Sequence, residues 1–318
     1  MAQLRGFVKC ILPNCQNPAI IAGMKMLVFG GSGRTGQVVC RMAEAAGWQV
    51  CAPQHAACPL EDADAVSDAV LHSGADAVVN CAAISGLEAC LDDPLHAHLV
   101  NAVAPAAMAL ACRHTGARFV HLSTDYVLDG RRPGLKNESA KCKPASVYGE
   151  SKREGELQVM EALDAALILR VSWVCGNPAK PSFVESTLIK ALRGEPLAAI
   201  ADKYSLPTDA EDIARAILAL LPTAAKGVYH VCATGEPVSW HACARLALEC
   251  AVAAQALPAM PELAPQQLKN ATFFREIRPP HTAMDNAALR AAGVPMLSVQ
   301  ETLRRVTHRL LQNNLPLN

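Results

Sequence analysis

Met26-Leu27-Val28-Phe29-Gly30-Gly31-Ser32-Gly33-Arg34-Thr35-Gly36 runs from four apolar residues into a glycine-rich turn, and Val38, Val39, Met42 and Ala46 then recur at helical spacing until Gly47. The stretch therefore predicts a strand, a glycine turn and a helix in succession. Glycines let the backbone approach a pyrophosphate closely, and a helix N-terminus offers the same anion unpaired N–H groups and a positive dipole end. The glycines can be read at 31, 33 and 36 as G-x-G-x-x-G, or at 30, 33 and 36 as G-x-x-G-x-x-G. At the first strand–helix junction of an apparent βαβ unit, either reading favours dinucleotide binding over a merely tight turn, with Gly30, Gly33, Arg34, Thr35 and Gly36 as its residues.

A second strand follows at once over 48–52. Where an NAD-type site places an acidic residue against the adenosine ribose, this chain has Pro53-Gln54-His55. Without that carboxylate nothing repels a 2′-phosphate, and Arg34 or His55 would be its positive partners, so NADPH is the expected cofactor with NADH left open. A helix is expected over 61–73. Asp76-Ala77-Val78-Val79-Asn80-Cys81-Ala82-Ala83 then reads as a buried strand ending in small residues that leave room for a cofactor across the sheet edge. A long helical pattern over 95–114 closes at Gly116, and the strand from Arg118 to Tyr126 ends in the hydroxyls of Ser123 and Thr124.

Ser146-Val147-Tyr148-Gly149-Glu150-Ser151-Lys152 comes next, after a loop rich in Gly, Pro and Lys. Tyr148 and Lys152 stand four residues apart and share one face of the helix that begins there. A cation beside a phenol favours phenolate, so the pair predicts a tyrosine titrating below its usual value near pH 10. Another strand lies over 166–173. Beyond Gly176 we expect helices near 183–193, 209–221, 238–252 and 298–313, with strands at 197–200 and 228–232. Strands alternating with helices at this spacing give an α/β fold, a Rossmann-like doubly wound parallel sheet over 24–175 with a smaller, mainly substrate-binding lobe over 176–318. The strand near 228–232 is expected to return to the main sheet.

The totals narrow the function. Lys plus Arg and Asp plus Glu both number 29, so no charge excess draws the chain to nucleic acid or to an anionic membrane. Hydrophobic content is 51 %, yet no uninterrupted apolar run approaches the roughly 18 residues of a membrane span. The 13 cysteines are odd in number, scattered, and without a Cys-x2-Cys pair, which points to free thiols in a reducing, cytoplasmic setting and to no metal site. Residues 1–23, broken by Arg5, Lys9, Pro13 and Pro18, read as a disordered leader or a start-site artefact.

Taken in order, the glycine turn, the Ser123-Thr124 strand end and Tyr148-x3-Lys152 resemble the extended short-chain dehydrogenases/reductases, and within them the dTDP-4-dehydrorhamnose reductase family. Ser123-Thr124-Asp125-Tyr126-Val127-Leu128-Asp129-Gly130, Val147-Tyr148-Gly149-Glu150-Ser151-Lys152 with Gly155-Glu156, Arg170-Val171-Ser172-Trp173-Val174, Leu206-Pro207-Thr208 and Arg278-Pro279 carry the likeness. The resemblance implies reduction of a nucleotide-linked 4-keto-6-deoxysugar such as dTDP-4-dehydro-L-rhamnose. It makes Tyr148 the proton donor, Lys152 its partner and the anchor of the nicotinamide ribose, and Thr124 the third catalytic hydroxyl. Ser123 and the segment from Asn80 to Ala83 would border the cofactor; Asp125, Tyr126 and Trp173 would line the sugar pocket; Arg278 would meet the nucleotide diphosphate. A homodimer is compatible with it.

Three positions depart from the family pattern. Cys58-Pro59-Leu60 stands where an acidic residue commonly reaches the adenine, Cys175 replaces a common tyrosine, and Lys203-Tyr204-Ser205-Leu206 replaces a Gln-containing turn. A dehydratase of the same superfamily would need Thr-Asp-Glu where this chain has Thr124-Asp125-Tyr126. The alternative from another class is a non-catalytic relative like the regulatory beta subunit of methionine adenosyltransferase, which binds a partner enzyme through the same fold.

Overall fold

The computed structural model describes residues 23–313, so the expectation for residues 1–23 lies outside the described residues but for Gly23. The first half alternates as expected: β1 (Lys25–Phe29), α1 (Arg34–Ala45), β2 (Gln49–Cys51), α2 (Ala63–Ser73), β3 (Ala77–Asn80), a short α3 (Leu87–Asp92), α4 (Pro94–Thr115), β4 (Arg118–Thr124), α5 (Val147–Ala162) and β5 (Leu167–Val171). The second half follows with β6 (Val174–Cys175), α6 (Phe183–Leu192), β7 (Leu197–Ile200), β8 (Tyr204–Ser205), β9 (Thr208–Asp209), α7 (Ala210–Leu220), β10 (Gly227–Val231), β11 (Val238–Ser239), α8 (Trp240–Ala253), β12 (Leu263–Gln266), α9 (Ala287–Ala291) and α10 (Val299–Gln312).

Six strands form one parallel sheet in the order β10-β5-β4-β3-β1-β2. The order turns at β1 and β3, and in an open α/β sheet the crevice beyond the strand ends at such a turning point is where ligands bind. Phe29, Asn80 and His121 lie in register across β1, β3 and β4, with Thr124 opposite Val171 of β5 at the same edge. Both sheet faces are covered, so the central strands are mostly apolar, with buried polar residues such as Asn80, His121 and Arg170 set among them. Val38, Val39 and Met42 of α1 share one core with Ile213, Ala214 and Ile217 of α7, while Val66 and Val70 of α2 share the other with Met108 of α4 and Val159 of α5. A third core, with Leu188, Leu248 and Leu303, belongs to α6, α8 and α10.

Two local features are not visible as periodicity. α4 carries a π-turn over Leu99–Val103, and the buried Asn101 inside it accepts the Ile84 N–H at 3.0 Å and donates to the Ser151 hydroxyl at 3.0 Å. The extra residue turns a polar side chain out of an apolar helix toward the site, a common use of such turns. α5 meets this turn so closely that a Cβ on Gly155 would lie 2.2 Å from the Asn101 carbonyl oxygen. By length and composition α4 could cross a membrane, but more than half of it is buried in the fold, against the two neighbouring helices. β12 lies in the proline-rich region and pairs only with β7, an edge position that tolerates Pro265.

Candidate active site

The site is built on the turn after β1. Gly30 has φ +74°, and a Cβ there would lie 2.7 Å from the Ala82 nitrogen; one on Gly36 would lie 2.1 Å from the Gly30 carbonyl oxygen. Side chains at either position would force β1, β3 and α1 apart. Asp62, Ser146, Ser182, Asp209, Ser239 and Ser298 each cap the helix that follows them, whereas Gly33, at the start of α1, has no side chain to do so. The first N–H groups of α1 are therefore left for a ligand, as an anion site requires.

Two cavities of about 380 and 470 Å³ open on this turn and share Gly33, Cys81, Ala82 and Ala83. Pro53, His55, Leu60, Glu61 and His96 border the smaller one, beyond β2. Thr35, Ser123, Thr124, Asp125, Tyr126, Tyr148, Lys152 and Trp173 border the larger. Two adjoining cavities on either side of a glycine turn have the form of a dinucleotide site, His55 bordering one and Tyr148 the other.

In the larger cavity the Ser146 hydroxyl accepts the Gly149 N–H at 3.1 Å and starts α5, which fixes Tyr148 in its first turn and Lys152 one turn on. Thr124 ends β4 and borders the same cavity as Tyr148, and its hydroxyl donates to Asp125 Oδ1 at 3.2 Å while accepting the Tyr126 N–H at 3.2 Å. Asp125 is buried and accepts from Ser172 at 2.8 Å and Ser205 at 3.2 Å. The Tyr126 and Tyr148 rings meet edge to face at 5.8 Å between centroids. Trp173 holds φ +42°, a left-handed backbone that a bulky residue adopts only under strain, and packs 5.7 Å from Trp240.

Three expectations are corrected. Lys152 does not draw the phenol toward neutrality: burial pushes the Tyr148 pKa up, and only the Thr124 hydrogen bond pulls it back. The Lys152 ammonium is instead held on β4, donating to the Leu122 carbonyl at 2.8 Å and lying 3.1 Å from His121 Nε2. Arg34 borders the larger cavity rather than the adenosine end, its guanidinium committed to the Lys180 and Pro181 carbonyls at 2.8 and 3.0 Å. Arg278 borders neither cavity but a third, along 268–278, where it bonds both Glu88 oxygens at 2.8 and 3.0 Å and lies 3.5 Å over the Phe274 ring. Asn80 is brought to the site but behind its wall, accepting the Ala82 N–H at 3.0 Å, and Gly36 is buried beneath the turn.

Sequence reasoning missed several residues that shape the site. His121 and Asn101 are polar residues inside apolar segments, which was their only signal. Lys203 is wholly buried, its ammonium 4.9 Å from the Tyr126 ring centroid and 2.8 Å from the Pro279 carbonyl; burial holds its pKa at about 8. Glu276 reaches across from the second half of the chain to accept the Val147 N–H at 3.0 Å, at the head of α5. Among the described residues every cysteine is free, and burial pushes thiols such as Cys40 up, to about 11.

Comparison with known proteins accords with this geometry. Residues 24–312 match the family described as RmlD substrate binding domain. The spore coat polysaccharide biosynthesis protein SpsK of Bacillus subtilis is 30 % identical over 88 % of this chain and 95 % of its own length. A dTDP-4-dehydrorhamnose reductase of Streptomyces griseus is 31 % identical over 86 % of this chain and 89 % of its own. The crystal structure of a dTDP-4-dehydrorhamnose reductase from Clostridium acetobutylicum superposes with a TM-score of 0.82 at 25 % identity, covering 91 % of this chain and all of that one. With its glycine turn, its Ser123-Thr124 strand end and its Tyr148-x3-Lys152 helix on one sheet edge, the chain belongs to the dTDP-4-dehydrorhamnose reductase family of extended short-chain dehydrogenases/reductases.

Proposed function

We propose that this protein reduces the C4 ketone of a nucleotide-linked 6-deoxysugar with NADPH, dTDP-4-dehydro-L-rhamnose to dTDP-L-rhamnose being the leading candidate. One observation carries the reading: Thr124, Tyr148 and Lys152 border a single cavity that joins the glycine turn through Gly33 and Cys81–Ala83. Gly30, Gly33 and Gly36, with the uncapped start of α1, would hold the pyrophosphate, His55 would meet the 2′-phosphate, and Lys152 would anchor the nicotinamide ribose. The bound dinucleotide supplies the hydride. As the ketone oxygen gains negative charge, Thr124 hydrogen-bonds it and Tyr148 gives it a proton. Burial keeps the phenol protonated at neutral pH, which suits the reducing direction. Asp125, Tyr126 and Trp173 would wall the sugar. The free cysteines accord with the cytoplasmic setting expected above.

The test is NADPH absorbance with a panel of nucleotide 4-keto-sugars, with Tyr148→Phe as control. We expect oxidation of NADPH by at least one, slowed about 10²–10⁴-fold in the variant as for loss of a general acid. No oxidation by any of them, alongside tight cofactor binding, would sink the reading and favour a non-catalytic relative. A clear preference for NADH in binding would overturn the choice of cofactor.

A further inference from the structure

The strand that ends in Ser123-Thr124 buries a histidine to which the proposed reaction gives no task. His121 is wholly buried, its Nε2 3.1 Å from Lys152 Nζ and its Nδ1 3.1 Å from Asn80 Nδ2. The Asn80 Oδ1 in turn takes the Ala82 N–H at 3.0 Å. Ala82 N–H, the Asn80 amide, the imidazole and the ammonium thus form one chain running from the cofactor-facing segment to the catalytic helix.

A neutral imidazole donates from one nitrogen and accepts at the other, and an ammonium can only donate. If Lys152 is charged, His121 Nε2 must accept and Nδ1 must carry the hydrogen. Asn80 must then turn its amide oxygen to the ring, which releases the Ala82 N–H toward the cavities that Ala82 lines. If Lys152 is neutral, its lone pair can accept from Nε2–H, Nδ1 accepts from the Asn80 amide nitrogen, and the Ala82 N–H stays capped. Burial and the nearby Lys152 both oppose an imidazolium. The charge on Lys152 therefore chooses between two arrangements of the whole chain.

The geometry points to His121 as a positioning residue for Lys152, accepting from the ammonium at Nε2 as the neutral Nδ1–H tautomer. With the Leu122 carbonyl taking a second proton, two of the three are fixed on β4, and the third is left for the cavity that holds Tyr148. This rests on the reading of Lys152 as partner of Tyr148. Glu156 and Tyr148 on α5, Cys81 after β3 and Cys90 on α3 are the other titratable groups around the pair. Burial lowers the Lys152 pKa to about 8 against the pull of Glu156, and the ammonium arrangement needs the Asn80 amide turned over from the orientation that caps the Ala82 N–H, an exchange of its O and N within the same contacts.

The first test needs no substrate. In ¹⁵N-histidine-labelled protein, with the His121 signal identified by its loss in His121→Gln, long-range ¹H–¹⁵N correlation at pH 7 should show a neutral ring with hydrogen on Nδ1. In Lys152→Met the hydrogen should move to Nε2. Hydrogen on Nε2 in the unsubstituted protein, or an imidazolium, overturns the inference. The second test is kinetic. His121→Phe should move the basic limb of the kcat profile down by roughly one pH unit, the scale of one charge-assisted hydrogen bond, with KM for the keto-sugar held. His121→Gln, whose amide oxygen can accept, should restore the limb. A limb that stays in place while kcat falls at every pH means packing alone and overturns the positioning role. If no keto-sugar turns over, the reaction falls while the NMR arm still decides the contact.

Discussion

Arg170 holds Glu156 with two guanidinium nitrogens, Nε to Oε1 at 2.7 Å and Nη2 to Oε2 at 2.8 Å, and both side chains are shut away from solvent. The pair ties β5 to the middle of α5, and the Ser123 hydroxyl donates to the same carboxylate at 2.6 Å, so the end of β4, α5 and β5 meet at one group. Burial alone would raise the Glu156 pKa, but the Arg170 hydrogen bond and charge outweigh it and hold the carboxyl below its usual range. Glu156→Gln should cost about 3–5 kcal/mol in denaturant unfolding, because it leaves a buried guanidinium without its counter-charge. In the unsubstituted protein this stabilisation is present above the ordinary carboxylate value and is lost as pH falls through the lowered one. A loss under 1 kcal/mol would show that Arg170 finds other compensation.

Glu276 reaches the head of α5 from a loop far along the chain, accepting the Val147 N–H at 3.0 Å. Glu276→Ala should cost about 1 kcal/mol, as for loss of a helix cap, and should speed hydrogen exchange over 147–151 more than elsewhere. kcat should fall with it, since Tyr148 sits in that turn. Unchanged exchange there would rule out the cap.

Lys152 is charged at neutral pH in spite of its burial, and the fold bears a cost for it. Its pKa, lowered to about 8 from 10.5, means that the unfolded chain binds the proton more tightly. Stability should therefore rise as pH climbs from about 8 toward 10.5. Lys152→Met should raise Tm by a few degrees at pH 7 while abolishing ketone reduction, a familiar exchange at active sites. Loss of stability in the variant would show that the hydrogen bonds to Leu122 and His121 outweigh the cost of the charge.

Trp173 combines a left-handed backbone with a place in the larger cavity. Trp173→Asn, a residue that tolerates this conformation, should recover about 1 kcal/mol of backbone strain offset by lost packing on Trp240. kcat/KM for the nucleotide sugar should drop at least about tenfold, on the scale of one lost aromatic contact, with NADPH affinity unchanged. An equal loss of NADPH affinity would place the ring in the cofactor site.

Much of this was legible because it is local. The β-α alternation through Val171 is written in short-range periodicity, and Tyr148 four residues before Lys152 announces a helix with both side chains on one face. What was not legible depends on residues distant in sequence. Arg278 reads as an available cation until Glu88, 190 positions away, proves to hold it. The Tyr148-Lys152 spacing puts both on one face but says nothing of the Leu122 carbonyl and His121 that turn the ammonium aside. The π-turn around Asn101 hides inside a continuous helical pattern, and Lys203 gives no hint that three aromatic rings surround it.

β10 has a consequence for how the molecule can be cut. The chain leaves the six-stranded sheet after β5, runs through β6, α6, β7, β8, β9 and α7, and comes back to lay Gly227–Val231 against Leu167–Val171. No single break in the polypeptide divides the protein into two self-sufficient pieces: one ending at 176 lacks the outermost strand and the α7 helix that shields α1, and its β5 becomes a bare, apolar edge. Exchange of the second lobe between relatives would have to carry two separate segments, one on each side of α7 and β10, and a graft that moved the C-terminal half as a block would bring a strand of the six-stranded sheet along with it.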